Sequence, residues 1–490
     1  MKCEQLIKIR GLFISCNFFR LTLLFFLFLT FSILMLISCR QNDENRIKPW
    51  TDNPCYWQYK GKPVLLLGGS DDDNLFQWEE NAIKKHLDLL VAKGGNYIRN
   101  TMSSRDSGNI EPFFKLENGL YDLTRWNDVY WGKFRALLNL SLERDIIVQI
   151  EFWDMHDWYN ERWNDRAFNP KNNINYTEVE SGLPVLIEFG PLYGQANEHP
   201  FFQSHLPEKK MDIVRGYQEN FVRKMIEASI DYPNVLYCIN NESAIDTSWS
   251  DYWLGFAREI ATKKKKMIYV GDMLMIPSSH FIIYKNFDFA DLSQTASNLH
   301  RQREANVGEG HMKSVIGEVD RVSSNPAPLN SVKQYGGDII PWSRGANEGV
   351  ERCWRSIFGG QAGVRFHRPP TGLGINEIAQ ANIKSLRMVT DYFDLKNVKS
   401  HQKMSHLFVK RELNEAYIMG NEGKVFAVFF TNEGNDVEVD ISSMGSQVTV
   451  KWMNTKTAIW KPEELYEGET LQLTKPDSGH WVALVASVNN

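Results

Sequence analysis

Two glutamates in this sequence stand where carboxylate chemistry on a sugar would need them. Glu242 ends the tripeptide Asn240-Asn241-Glu242, directly after the apolar run Val235-Leu236-Tyr237-Cys238-Ile239. Glu318 follows Gly317 and a shorter run, Ser314-Val315-Ile316. Short apolar runs bounded by polar residues read as buried strands. A carboxylate at the C-terminal end of a buried parallel strand is where barrel enzymes gather their catalytic groups. Two such carboxylates about 5–5.5 Å apart can hydrolyse a glycosidic bond by retaining double displacement. In that reading Glu242 donates a proton to the leaving oxygen and then activates water, while Glu318 attacks the anomeric carbon. Carboxyl groups alone supply acid, base and nucleophile, so no metal or other cofactor is expected.

The elements that must position this pair alternate along the chain. Strand-like runs occur at 64–67, 96–99, 146–152, 235–239, 267–270, 289–295, 314–316 and 363–366. Between them apolar residues recur at helical spacing, as in Ile83, Leu87 and Leu90, or Ile213, Tyr217 and Phe221. Alternation of this kind argues for a parallel sheet, and eight units argue for closure. The expected class is therefore α/β, a (β/α)8 TIM barrel over 51–397, with Glu242 on strand four and Glu318 nearly opposite on strand seven. A stretch at about 154–207, rich in Asn, Pro, Gly and aromatics, interrupts the rhythm as a long insertion at the C-terminal end of strand three. From 405 to 490 the period changes to short alternating runs separated by turns such as Asn421-Glu422-Gly423, which predicts a small all-β sandwich.

Composition narrows the partner. The 490 residues carry a formal net charge of −5 with no basic block, which argues against nucleic acid. Aromatics are abundant, with 15 Trp, 18 Tyr and 28 Phe, and those clustered in the insertion could form platforms on which sugar rings stack. At the N-terminus Lys2, Lys8, Arg10 and Arg20 precede an apolar run over 21–36 that ends in Leu36-Ile37-Ser38-Cys39, the layout of a signal peptide over 1–38. The ending resembles the bacterial lipobox, which implies cleavage before Cys39, lipidation of its sulfur and a polar tether over 39–50. Gln41-Asn42-Asp43-Glu44 resembles the acidic export tags of Bacteroidota surface lipoproteins. Together these imply a membrane partner through the lipid anchor, on the periplasmic or cell-surface side of the outer membrane. Cys55, Cys238 and Cys353 remain without metal-ligand spacing and read as core residues.

The paired motif resembles clan A of the glycoside hydrolases, which places an Asn-Glu acid/base on strand four and a nucleophilic Glu on strand seven. The resemblance implies that Asn241 bonds a sugar hydroxyl and that Arg99, in Tyr97-Ile98-Arg99-Asn100, holds the nucleophile ionised. It also implies that His300, after strand six, touches the sugar. A closer likeness, to apiosidase-like barrels with a C-terminal collagen-binding-type sandwich, rests on Tyr59-Lys60-Gly61-Lys62-Pro63-Val64-Leu65-Leu66-Leu67-Gly68 and on Trp354 with Gly359-Gly360-Gln361-Ala362-Gly363. The sequence departs from it at Ser70-Asp71-Asp72-Asp73 and at Arg365-Phe366-His367-Arg368-Pro369, so the relatives' substrate does not carry over. From the residues themselves, Asp72, Trp153, His156, His367 and Arg368 are further candidates for contact with a poly- or oligosaccharide. The last two would suit an acidic or richly hydroxylated sugar. Two readings compete: an inverting hydrolase with an Asp near 72 as base, and a non-catalytic glycan-binding lipoprotein on a barrel scaffold.

Overall fold

Eight parallel strands close on themselves in the computed structural model, which describes residues 44–158, 160–187, 198–242, 245–273, 286–293, 308–339 and 343–488. The strands are β1 (Leu66–Gly69), β2 (Tyr97–Thr101), β3 (Ile147–Asp154), β4 (Val235–Asn241), β5 (Val270–Asp272), β6 (Phe289–Asp291), β7 (Leu329–Gln334) and β8 (Gly363–Phe366). Each pairs with its sequence neighbours, and β8 closes on β1. The outer helices are α1 (Glu80–Ala92), α2 (Asp128–Leu142), α3 (Asp212–Ser229), α4 (Thr247–Lys263), α5 (Gly308–Arg321), α6 (Gly345–Phe358) and α7 (Glu377–Thr390). The segment expected to be a signal peptide, Cys39 and His300 lie outside the described residues. No helix among the described residues is long and apolar enough to cross a membrane.

Every residue of β3 and β4 is buried, as the near-continuous apolar runs anticipate for a sheet covered on both faces. The barrel interior is nevertheless partly polar. Gln149 donates to Asp291 at 2.8 Å, Asn330 donates to the Tyr97 hydroxyl at 3.0 Å, and Trp57 of the N-terminal ribbon donates to Asn330 at 3.0 Å. Buried polar groups are tolerated when they satisfy one another. Gly68 is required where β1 meets β2, because a Cβ there would lie 1.8 Å from the Tyr97 carbonyl oxygen.

The seventh strand is not where the sequence places it. Residues 314–316 lie within helix α5, whose Met312 and Val315 are buried with Val319 packed beside them. That spacing is helical, and three adjacent apolar residues do not distinguish strand from helix. The true β7 was hidden because it carries Asn330, Ser331, Lys333 and Gln334, all buried, and so shows no apolar run. A hairpin of Phe113–Lys115 with Tyr121–Trp126, inserted after β2, was also unanticipated.

Among the described residues, the insertion's large aromatics form core rather than a platform. Trp158 stacks on Phe201 with centroids 4.0 Å apart, and Trp163, Phe168, Tyr176 and Phe202 are all buried. Beyond the barrel, a three-stranded sheet (Phe408–Lys410, Asp436–Asp440, Thr470–Thr474) faces a larger one that includes Ala416–Asn421, Val425–Phe430, Gln447–Asn454 and Trp481–Ser487. The two enclose a separate apolar core. This sandwich docks on α6, where Trp354 stacks on Phe429 at 4.7 Å with the rings 4° from parallel.

Candidate active site at the barrel mouth

Glu242 follows directly on β4 and adopts a left-handed backbone conformation, φ 58°. A non-glycine residue held there costs on the order of 1–3 kcal/mol and marks a position that its surroundings over-determine. Asn240 supplies much of that restraint. Its amide donates to Asp272 of β5 and to Ser250 of α4, each at 3.0 Å, and its carbonyl accepts from Trp249 at 3.1 Å. Asn241 is buried, and its side-chain oxygen has no hydrogen-bond partner among the described residues. An unsatisfied buried acceptor is costly and is relieved when a ligand brings a donor.

Lys333, Tyr335 and His156, among the described residues, converge on the Glu242 carboxylate. Lys333 donates to Oε1, the Tyr335 hydroxyl lies 3.2 Å from the same oxygen, and His156 Nε2 lies 2.5 Å from Oε2. Lys333 reaches it because the β7–β8 register shifts between Ser331 and Gln334, a local bulge that re-aims side chains. His156 is carried by the short turn after β3, whose backbone Asp154 caps at 3.0 Å. Burial alone would raise the Glu242 pKa, but Lys333 and His156 outweigh it and hold the carboxyl well below its ordinary range. Burial in turn lowers Lys333 to about 8 against the pull of Glu242, and burial lowers His156 as well. Near neutral pH the site is therefore a carboxylate–ammonium pair with a neutral imidazole donating to it.

A second charged cluster occupies the β1–β8 side. Asp73 lies 3.3 Å from Arg99, 3.1 Å from Arg365 and 3.2 Å from Arg368, with His367 at 3.7 Å and Arg105 at 3.8 Å. Its burial would raise its pKa, but Arg99, His367, Arg365 and Arg368 hold it well below the usual carboxylate range. Arg368 also reaches Asp72 at 3.4 Å and Asp106 at 3.3 Å. His367 joins the two clusters, its ring edge-on to Tyr335 with centroids 4.9 Å apart.

The structure thus brings together Glu242, Asn241 and His156, with His367, Arg368 and Asp72 around the same mouth. It removes two expected members. Glu318 lies in the last turn of α5, not at a strand end. A helix returning from the mouth to begin β7 has that turn at the opposite end of the barrel, so Glu318 does not face Glu242. Trp153 is fully buried among Trp158, Phe201, Phe221, Trp249 and Trp253, with centroids 5.1–6.0 Å away, and offers no face to a sugar. Arg99 is also buried but pairs with Asp73 and Glu151, both at 3.3 Å, rather than with a strand-seven carboxylate. Sequence reasoning missed Lys333, Tyr335 and Arg105, and it quoted Asp73 and Arg365 within their blocks without singling them out. The available signal for the first two was a lysine inside a segment running into Tyr335-Gly336-Gly337. Among the described residues no cluster of His, Cys, Asp or Glu is arranged to hold a metal ion. A cavity behind Asp154 and Asp157 holds about 20 Å³, room for a water molecule and not a sugar ring.

No family model matches the chain, and no curated protein matches it. Solved structures do. A glycoside hydrolase aligns over 92% of this chain and 98% of its own length, with TM-score 0.62 and 11% identity. A family 5 glycoside hydrolase from Bacteroides vulgatus ATCC 8482 aligns over 92% and 95%, with TM-score 0.63 and 11% identity. At such identity the likeness establishes the fold, a barrel with an appended β-sandwich.

Proposed function

We propose that this chain is a glycoside hydrolase that binds a poly- or oligosaccharide over the barrel mouth, with Glu242 as its working carboxylate. The observation that carries the reading is Glu242 itself: strained, at the C-terminal end of β4, and contacted by His156 from the turn after β3 and by Lys333 from β7. The unsatisfied Asn241 oxygen beside it suits a sugar hydroxyl. The fold shared with glycoside hydrolases adds support. An ionised carboxylate takes a proton more readily than it gives one, so Glu242 acts as the base that activates the attacking water. Retaining double displacement through Glu318 is set aside, because that residue sits in α5.

One observation favours a second reading. Lys333 occupies the β7 position opposite Glu242, and Lys333, Tyr335 and His156 engage both carboxylate oxygens, as suits a barrel that binds glycan without cleaving it. A release assay over plant and host polysaccharides separates the two. Hydrolysis predicts that Glu242→Gln lowers turnover by about 10²–10⁴-fold with binding retained, while Glu318→Gln stays within about twofold of the parent. Wild-type protein that binds a glycan but releases nothing from it establishes the second reading.

The lipid anchor belongs to the same proposal, since it would hold the barrel at the outer membrane where glycans arrive. Cys39→Ser should move the protein from the membrane to the soluble fraction of cells. Unchanged fractionation would remove the anchor.

A further inference from the structure

We propose that Lys333 is an amine nucleophile that condenses with the carbonyl of a small aldehyde or ketone, with the open-chain end of a reducing sugar as the natural class. The inference does not depend on glycosidic hydrolysis.

The geometry carries it. Lys333 lies on a barrel strand near its C-terminal end, is 2% exposed, and directs its ammonium at Glu242. The Glu242 and His156 side chains are 12% and 28% exposed against 3% for Lys333, so solvent reaches the carboxylate that the buried ammonium meets. A buried lysine–carboxylate pair is a poor stabilising device, because two desolvated charges recover little more than they lose. Here the pair is instead surrounded by groups suited to moving protons. Tyr335 shares Oε1, His156 holds Oε2, and the charges that act on Lys333 are Glu242, Arg99, Asp73 and Glu151. Desolvation also brings its pKa down to about 8, so a substantial neutral fraction exists near physiological pH.

The step balances within the pair. Lys333 passes a proton to Glu242, and its freed lone pair attacks the carbonyl carbon. The carbonyl π pair moves to oxygen, which takes the proton back from Glu242 to give a carbinolamine. Glu242 then accepts a proton from nitrogen and returns it to the hydroxyl, which leaves as water. Ammonium plus carbonyl has become protonated imine plus water, and Glu242 is again a carboxylate, now paired with the iminium. No oxidant or reductant takes part.

The test uses the intact protein with glycolaldehyde and cyanoborohydride at about pH 7.5, followed by peptide mapping. Reduction fixes the imine as a stable secondary amine. Lys333, lowered to about 8, has a far larger neutral fraction at that pH than an amine of ordinary lysine basicity, and lower intrinsic nucleophilicity offsets part of the gain. Labelling at Lys333 should therefore exceed that at the exposed Lys263 and Lys264 of the same sample by about tenfold. Equal or lower labelling at Lys333 overturns the proposal. Glu242→Gln then separates a built site from a merely low-pKa amine. Removing the carboxylate lowers the Lys333 pKa further, so simple glycation would speed up. Loss of the proton carrier instead slows labelling by about tenfold or more. Faster labelling in that variant, with unfolding temperature unchanged, overturns the proposal as well.

Discussion

Two carboxylates on opposite sides of the mouth, Asp73 and Glu242, are both ionised by cations, yet they are held in different ways. Asp73 has a 3% exposed side chain and lies among Arg99, Arg365, Arg368, Arg105 and His367, which tie the loop after β1 to β2 and β8. Glu242 has one lysine, one tyrosine and one histidine, a strained backbone and a solvent-facing edge. A charge shared among several fixed guanidinium groups is a joint. A charge whose nearest ammonium partner is itself titratable can change state. The comparison assigns architecture to the first cluster and chemistry to the second, and it can be broken at either end.

The largest stability effect should come from Asp73→Asn. It leaves four arginines (Arg99, Arg105, Arg365 and Arg368) around a neutral side chain in a buried space, and uncompensated charge of this kind costs about 3–5 kcal/mol. Urea unfolding at neutral pH measures it. A loss near zero would mean that the arginines are satisfied without Asp73 and that the cluster is no joint.

Next in size is the pH dependence tied to Glu151, which lies beneath both clusters and pairs with Arg99 at 3.3 Å. Burial raises its pKa to about 7 from 4.5, against the opposing pull of Arg99 and Lys333. Between those values the folded state holds the proton more tightly than the unfolded chain. The stability from this group is therefore full below about pH 4.5 and lost as pH rises through about 7. Wild-type protein should lose unfolding temperature over that window relative to Glu151→Gln, which cannot ionise. Parallel curves would show that Arg99 keeps Glu151 charged throughout and serves both clusters equally.

The same contrast explains what could be read from the sequence. Glu242 was legible because β4 is a clean apolar run ending in an amide and an acid, and strand counting put it fourth. Lys333 was not, because the barrel interior accepts Asn330, Ser331 and Gln334 through hydrogen bonds such as Asn330 to Tyr97, and periodicity registers only apolar residues. A helix segment then took the vacant seventh place and drew Glu318 into the site. Asp73 was visible as one of three adjacent acids. Its distinction from Asp72 depends on Arg365, nearly 300 residues away, which no local pattern reveals. Trp153 misled for a related reason: it ends β3 among the candidate residues, yet its ring turns outward into the layer beneath α3 and α4.

The smallest effect, and the sharpest check on the Asp73 assignment, is Asp72→Asn. Asp72 is its sequence neighbour, and its side chain meets Arg368 at 3.4 Å, but it is 15% exposed. Its oxygens mainly accept from Trp78 Nε1 at 2.8 Å and from the Asp73 backbone at 2.7 Å. Asparagine's carbonyl keeps one of these two donors while its amide nitrogen cannot accept the other, and the lost charge is partly screened by solvent. The expected cost is about 1–2 kcal/mol, read from the same urea transition as Asp73→Asn. If the two adjacent variants lose equal stability, the arginines respond to net negative charge in the loop rather than to one buried carboxylate. The distinction between a fixed joint at Asp73 and a convertible pair at Glu242 would then rest on Glu242 alone.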